Sequence, residues 1–380
     1  MNKSIKCKAA VLHDMGLPRP FSKSKPVKIE EIEVDPPGFG EVLIKVSAAG
    51  LCHSDLSVVN GNRPRAMPMV LGHEGSGVVA SLGEGVDDFE IGDHVVFVFV
   101  PSCGNCIPCK EVRPALCDPG LAAGGAGTLL AGEKRFRLNG DLINHQVGVS
   151  CFSEFTVVSS KSLVKVEKSL PLDEAALFGC AVITGAGAVF NTANIRVGST
   201  VAVVGLGGTG LAALIGAKAA GASKIIGIDL LEDKLNIAKQ LGASAVYKAD
   251  DPKLIEELKN NNNGGVNYSF ECVGSEKAME LAYKILKRGG TVVSSGLSHP
   301  DKNFSIQHVD LVASEKVIKG SFLGSCVPAR DIPAYIELYK SGRLEVDRLM
   351  SDHISLDQIN EGFDKLSEGS TVRQVIMFND

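Results

Sequence analysis

From about Val201 the chain alternates strand-like apolar runs with helical segments: VAVVG, a helix from Gly208 to Ala220, KIIGID, a helix from Glu232 to Leu241, then SAVY. VNYSFE, a helix around Glu276 to Leu286 and TVVSS repeat the unit. Strands separated by a helix cannot pair as hairpins, so each crosses over and lies parallel to the last, with helices covering the faces of the sheet. This stretch therefore belongs to the α/β class.

Gly205, Gly207 and Gly210 spell G-x-G-x-x-G at the junction of the first of these strands with the first helix, with Gly208 and Thr209 inside the pattern. The pattern is weak by itself and becomes specific in this context. The first glycine permits a tight turn, the second lets the backbone approach a pyrophosphate, and the third lets helix and strand pack closely. The helix N-terminus then faces the negative charge. Asp229 ends the next strand, nineteen residues beyond Gly210. A carboxylate there accepts hydrogen bonds from ribose hydroxyls and repels a 2′-phosphate, which favours NAD over NADP. The plainer alternative is a glycine-rich turn followed by a solvated acid, and the order strand, fingerprint, helix, strand, acid weighs against it.

The first 180 residues follow another pattern, with short strands broken by Gly and Pro; Val42 to Ala48 alternates around Lys45 and Ser47, and Val95 to Val100 is a continuous apolar run. That is an irregular, β-rich domain. After about Phe322 mixed elements return, with helical patterns near Asp331 to Lys340 and Leu356 to Leu366, and Asn260 to Asn263 reads as a polar loop. A length of 380 residues suits two domains. The expected division is 1–181 with 322–380 for the first, and 182–321 for the dinucleotide domain.

With a net charge of −5 and both signs interspersed, the chain offers no basic field for nucleic acid or acidic lipid. No run reaches the ~18 apolar residues of a membrane span, and the opening MNKSIKCKAAVLHDMG lacks the apolar core of a signal peptide. A cytoplasmic location and a small-molecule substrate are expected.

Ten cysteines in such a chain point to metal rather than to disulfides. Cys103, Cys106, Cys109 and Cys117 form C-x2-C-x2-C-x7-C, interrupted by Gly104 and Pro108. Four thiolates on a folded-back loop make a closed tetrahedral Zn2+ site with no position left for substrate, which is a structural role. An iron–sulfur cluster also takes four cysteines, although the ferredoxin runs differ in their gaps. Cys52 in AGLCHSD, His73 and Glu74 in LGHEGSG and Cys180 in LFGCAVITG are dispersed. Each alone is unremarkable, since a lone buried cysteine is usually inert filling and a lone histidine is usually hydrogen-bonded. Each does sit at a glycine-flanked turn after an apolar stretch, and two Cys plus one His would leave a fourth zinc position open for catalysis.

In the order and spacing of GHE at Gly72 to Glu74, the four-cysteine lobe, GC at Gly179 to Cys180 and GLGGTG at Gly205 to Gly210, the chain resembles the zinc-containing alcohol dehydrogenases of the medium-chain dehydrogenase/reductase family. The likeness runs from about Lys8 to the C-terminus. It implies a doubly wound Rossmann coenzyme domain beside a β-rich GroES-like catalytic domain, two zinc ions per chain, and NAD as hydride acceptor. Cys52, His73 and Cys180 would bind the catalytic zinc, with Glu74 an occasional ligand and Asp55 holding the other nitrogen of His73. Ser54 would take the substrate proton. Where several relatives carry a relay histidine this chain has Ser57, so a relay would run through water, the nicotinamide ribose or another group. His53 would lie by the pyrophosphate, with Lys234 near the adenosine ribose, Arg373 near the pyrophosphate and Thr184 near the nicotinamide. Phe99 would line the substrate pocket. The stretch 119–147, absent in part from shorter tetrameric relatives, leans toward a homodimer, and its basic Lys134, Arg135 and Arg137 lie where substrate preference is expected to be set.

The implied reaction is reversible oxidation of primary alcohols, aryl or longer-chain ones included, to aldehydes. Alternatives are a glutathione–formaldehyde adduct as substrate, a zinc ribbon on nucleic acid, which the net charge and the fingerprint oppose, and a zinc- and nucleotide-binding protein without catalysis.

Overall fold

A computed structural model describes residues 3–378. Packing divides the chain into two compact units, one made of the residues up to Cys180 with Val327–Pro333 and the stretch from Met350, the other of Ala181–Cys326 with Ala334–Leu349.

The second unit holds a six-stranded, wholly parallel sheet. From one edge to the other its strands are Ala245–Lys248, Lys224–Asp229, Thr200–Val204, Val266–Glu271, Leu286–Ser294 and Val317–Gly320. In chain order this is 3-2-1-4-5-6, the doubly wound arrangement in which ligands bind where the order reverses. Val201 to Val204 are all buried, as a parallel strand covered on both faces requires. The helix Gly208–Ala219 follows directly, and Gly210 has to be glycine, because a Cβ there would lie 1.8 Å from the Gly205 carbonyl oxygen. Ser275 caps the helix Glu276–Lys284 by accepting the Ala278 N–H. Three elements go beyond the sequence pattern. Leu254–Asn261 is a helix, so Asn260 and Asn261 end it instead of forming a loop, and the helix His308–Ala313 precedes the edge strand Val317–Gly320.

The first unit contains two β assemblies. Ile5–Leu12, Val27–Val34, Phe136–Leu138, Asp141–His145 and Met69–Val70 close a barrel around Ala9, Val11, Ile32, Val70, Phe136 and Ile143. A seven-stranded sheet is centred on Glu41–Gly50, which pairs with Gly75–Leu82, Phe155–Ser159 and the C-terminal strand Gln374–Met377. The apolar run at Val95 to Val100 is a strand only over His94–Phe97. Its C-terminal strand matters most for the site, because pairing of Val375 with Gly50 brings Arg373 beside Leu51.

The division differs from the expected one at 322–326 and at 334–349, which pack with the second unit. The Tyr335 ring packs tilted against Phe190 at 5.4 Å and its hydroxyl lies 3.3 Å from the Asn191 amide nitrogen, while Glu345 pairs with Lys218 at 2.6 Å. These partners are more than a hundred residues away in sequence, and the helical pattern of the segment carries no sign of which unit it will join. Among the described residues no single helix is long and apolar enough to cross a membrane.

Candidate active site

Cys52 leaves the end of the strand Glu41–Gly50 and caps the helix His53–Val59. C-x-x-D acts here as a capping box: the Cys52 side chain meets the Asp55 N–H, and Asp55 Oδ2 accepts the Cys52 N–H at 3.0 Å. His73 lies between Met69–Val70 and Gly75–Leu82. The preceding Gly72 has φ of 101°, and a Cβ on it would lie 2.5 Å from the Phe152 nitrogen, so G-H-E needs its glycine to seat the imidazole. Cys180 follows the short turn Leu177–Gly179.

Residues distant in sequence thus converge: the ligand atoms of Cys52, His73 and Cys180 lie within 4.8 Å of one another, all three residues buried. Cys180 Sγ is 3.4 Å from His73 Nε2. Zn–S and Zn–N bonds of about 2.3 and 2.05 Å at a tetrahedral angle put such a pair about 3.6 Å apart, so the donor set fits one zinc ion. Asp55 Oδ1 accepts the His73 Nδ1–H at 2.7 Å, leaving the Nε2 lone pair facing the two sulfurs. Contact with Cys180, working against burial and helped by the Arg373 charge, holds the Cys52 thiol well below its ordinary range. A low-pKa thiol is the form a metal takes up without first having to displace a proton.

Glu74 is also buried here, its Oε1 3.3 Å from Arg373 Nε, and Arg373 donates from Nη1 to the Leu51 carbonyl at 2.8 Å. Burial pushes the Glu74 carboxyl up to about 7, against the pull of Arg373. Phe99 meets the His73 ring edge-on at 5.4 Å. Ser54 is half-buried in the first turn after Cys52 and His53 is exposed. The Ser57 hydroxyl donates to the His53 carbonyl at 2.7 Å, so its proton is committed to the helix.

The second cluster is equally compact, with the sulfurs of Cys103, Cys106, Cys109 and Cys117 within 4.8 Å of one another. Cys106 and Cys117 Sγ are 3.9 Å apart, against about 3.8 Å for two sulfurs on one tetrahedral zinc. That spacing has room for a single ion and none for a multi-iron cluster. N–H groups of Asn105 and Cys106, each at 3.4 Å, hold the Cys103 thiol down to about 7, whereas burial drives Cys109 up to about 12.

In the second unit the fingerprint takes the expected form. Gly207 caps the helix without a side chain, so the N–H groups of Gly208, Thr209 and Gly210 have no side-chain acceptor from the cap, and a Cβ on Gly207 would meet nothing within 4 Å. That open ground is where a pyrophosphate would sit. Asp229 accepts the Leu206 N–H at 2.7 Å and the Leu231 N–H at 3.0 Å, pinning the turn to the end of the next strand while lone pairs remain for a ribose. Thr184 is half-buried on the helix Ala181–Gly187, and Lys234 is 6% exposed on the helix Glu232–Gln240.

Residues 38–168 match the alcohol dehydrogenase GroES-like domain family, and residues 208–341 the zinc-binding dehydrogenase family. The class-3 alcohol dehydrogenase of Drosophila melanogaster is 39% identical over 382 positions, covering 99% of this chain and 98% of that protein. This chain belongs to the zinc-dependent alcohol dehydrogenases. Among solved structures, an alcohol dehydrogenase zinc-binding domain protein from Burkholderia ambifaria superposes with a TM-score of 0.93 at 30% identity, covering 100% of both chains. Benzyl alcohol dehydrogenase from Acinetobacter calcoaceticus gives 0.92 at 30% identity, over 99% of this chain and 100% of that one. As a medium-chain dehydrogenase/reductase the chain is an oxidoreductase whose cofactors are zinc and NAD(P).

Arg135 is paired with Glu41 at 2.6 Å and Arg137 with Asp35 at 2.8 Å, and the strands Phe136–Leu138 and Asp141–His145 close the barrel. Arg135 thus joins the barrel to the seven-stranded sheet, and Arg137 joins its barrel strand to the residue that follows Val27–Val34, so both guanidiniums are engaged in ion pairs. A site residue that sequence reasoning missed is Gln146, whose side chain reaches Asp55. Nothing in its neighbourhood along the chain marks it.

Proposed function

We propose that this alcohol dehydrogenase oxidises primary alcohols, aryl and longer-chain ones included, to aldehydes, with Cys52, His73 and Cys180 as ligands of a catalytic zinc and NAD as the preferred acceptor. The observation that carries the proposal is the buried two-sulfur, one-nitrogen donor set whose histidine is backed by a carboxylate, because three protein ligands leave one position open. The four-cysteine cluster would hold the structural zinc.

When bound, zinc supplies a Lewis acid that makes a substrate hydroxyl easier to deprotonate, and NAD supplies the hydride acceptor. The rest falls to side chains. Asp55 fixes the tautomer and orientation of His73. Arg373 offsets the buried charge of Glu74. Phe99 covers the imidazole with apolar surface, and Ser54 would take the substrate proton while giving up its own to water, the nicotinamide ribose or another group. His53, Thr184, Lys234 and Arg373 would contact the dinucleotide, with the amides of Gly208 to Gly210 on its pyrophosphate. The domain roles follow: the unit built on the barrel and seven-stranded sheet is catalytic, and the parallel-sheet unit binds the coenzyme.

The test is NADH formation by purified protein across ethanol, longer primary alcohols, benzyl and cinnamyl alcohol, and formaldehyde with glutathione. Turnover of a primary alcohol that a zinc chelator abolishes is the expected result, faster with NAD than with NADP because Asp229 repels a 2′-phosphate. Turnover of the glutathione mixture alone would move the substrate to that adduct, and silence throughout with NAD bound would mean the chemistry is lost.

We also propose a homodimer. Among the described residues the strand Val317–Gly320 is the last of its sheet, and the helix His308–Ala313 that precedes it exposes Val309 and Val312, 70% and 63%, an apolar stretch suited to a second copy. Light scattering should give the mass of two chains, reduced to one by Val309→Asp with Val312→Asp; a monomeric parent protein would overturn it.

A further inference from the structure

We infer that Gln146 is a positioning residue of the catalytic metal site, bridging the backbone just before His73 to the carboxylate that holds the His73 ring. The inference rests on the zinc-ligand assignment above. Gln146 is 4% exposed. Its Oε1 accepts the Gly72 N–H at 2.5 Å, and its Nε2 donates to Asp55 Oδ1 at 2.9 Å. The orientation of the amide is forced: a backbone N–H requires the oxygen end and a carboxylate requires the nitrogen end, so a flipped amide would lose both bonds.

The segment carrying Gln146 is built to hold it there. Its N–H donates to Ser150 Oγ at 2.7 Å, and that hydroxyl donates to the Val70 carbonyl at 2.6 Å, tying the turn to the strand that leads to His73. Val147 and Ser150 both have left-handed backbone, φ 45° and 53°. Non-glycine residues, a β-branched valine above all, hold such angles only where their surroundings impose them. The Gly72 carbonyl in turn accepts the Cys151 N–H at 3.0 Å. Gly72 is therefore fixed at both its polar atoms, and the Gln146 amide carries this anchor across to Asp55.

Asp55, fully buried, receives three donors: His73 Nδ1–H and Gln146 Nε2–H on one oxygen and the Cys52 N–H on the other. Without the Gln146 amide the oxygen that orients the imidazole keeps only the imidazole itself, and the carboxylate can turn about the Cys52 contact. Residues standing behind metal ligands in this way typically change metal retention by about 10–100-fold when replaced. A residue that merely filled space would leave it unchanged.

The experiment uses the zinc-loaded protein and follows zinc release to a chromogenic chelator, with Cys106→Ser run alongside to identify which phase belongs to the four-cysteine site. Gln146→Leu keeps the bulk and removes both bonds. Gln146→Glu keeps an acceptor for Gly72 but sets a second carboxyl against Asp55. Both are expected to speed release from the Cys52 site by about 10–100-fold while the four-cysteine phase is unchanged, and to alter the visible bands of the Co2+-exchanged site, which report ligand geometry. The unchanged phase shows that the lobe is intact, and Gln146→Glu decides the matter if Gln146→Leu does not fold. Release within twofold of the parent in a folded variant, with an unaltered cobalt spectrum, overturns the inference. A parent protein that holds only one zinc per chain overturns the ligand assignment beneath it.

Discussion

Cys52→Ser is expected to lower kcat/KM for any alcohol the enzyme turns over by at least about 10³-fold, a loss near 4 kcal/mol of transition-state stabilisation. NADH binding should remain unchanged. The size follows from what is removed. A serine hydroxyl stays protonated where the Cys52 thiol is held well below its ordinary range, so the donor set loses a soft, charged ligand and keeps one sulfur and one nitrogen. The substitution is clean because position 52 also caps the helix His53–Val59, and serine is a stronger N-cap than cysteine. The helix, Ser54 and the Asp55 carboxylate should therefore stay in place. Steady-state kinetics, metal content and NADH fluorescence check the three parts: turnover lost, zinc falling from two per chain to one, cofactor affinity retained. Normal turnover in Cys52→Ser would remove the residue from the catalytic site.

The coenzyme fold was legible because its signals are local. Every residue of VAVVG, KIIGID and VNYSFE needed to place a strand lies within that strand, and the glycines that shape the fingerprint turn are read in the same few positions. The proposed metal ligands were legible as candidates only. Cys52, His73 and Cys180 are up to 128 residues apart, and what joins them is the pairing of Glu41–Gly50 with Gly75–Leu82 and the return of the chain at Leu177–Gly179, none of it written beside the ligands. Other features depend wholly on tertiary partners. The helix Leu254–Asn261 ends in a polar run that looks like a loop until Leu254 and Leu258 are seen buried in the second unit's core. Arg135 and Arg137 look like a basic surface until Glu41 and Asp35 arrive from distant parts of the chain. Gln146 has the least signal of all, since an amide is ordinary at almost any position and acquires meaning only from the two atoms it bridges.

Cys106→Ser is expected to act on stability and to spare the chemistry, the reverse of Cys52→Ser. The lobe from Cys103 to Cys117 has little apolar burial to hold it, with only Pro114, Ala115 and Cys117 buried among its residues. Its helix Ile107–Lys110 is one turn long and buries no residue, while Ile107 and Val112 are 71% and 63% exposed. Val112 also sits at φ 60°, a costly angle for a β-branched side chain. So little burial leaves most of the lobe's stabilisation to a metal held by the four thiolates. Structural zinc is worth roughly 10–16 kcal/mol in small metal-folded domains, and most of it disappears with one ligand gone. If roughly 4 kcal/mol of that reaches the unit as a whole, the unfolding midpoint falls on the order of 10 °C, at about 2–4 °C per kcal/mol. Calorimetry with metal analysis checks this: one zinc lost, a lower midpoint, and kcat per folded, singly loaded chain close to the parent value. An unchanged midpoint would mean that the lobe is held by something other than its four thiolates. A turnover loss as deep as that of Cys52→Ser in protein that is still folded would mean that the four-cysteine site is coupled to catalysis.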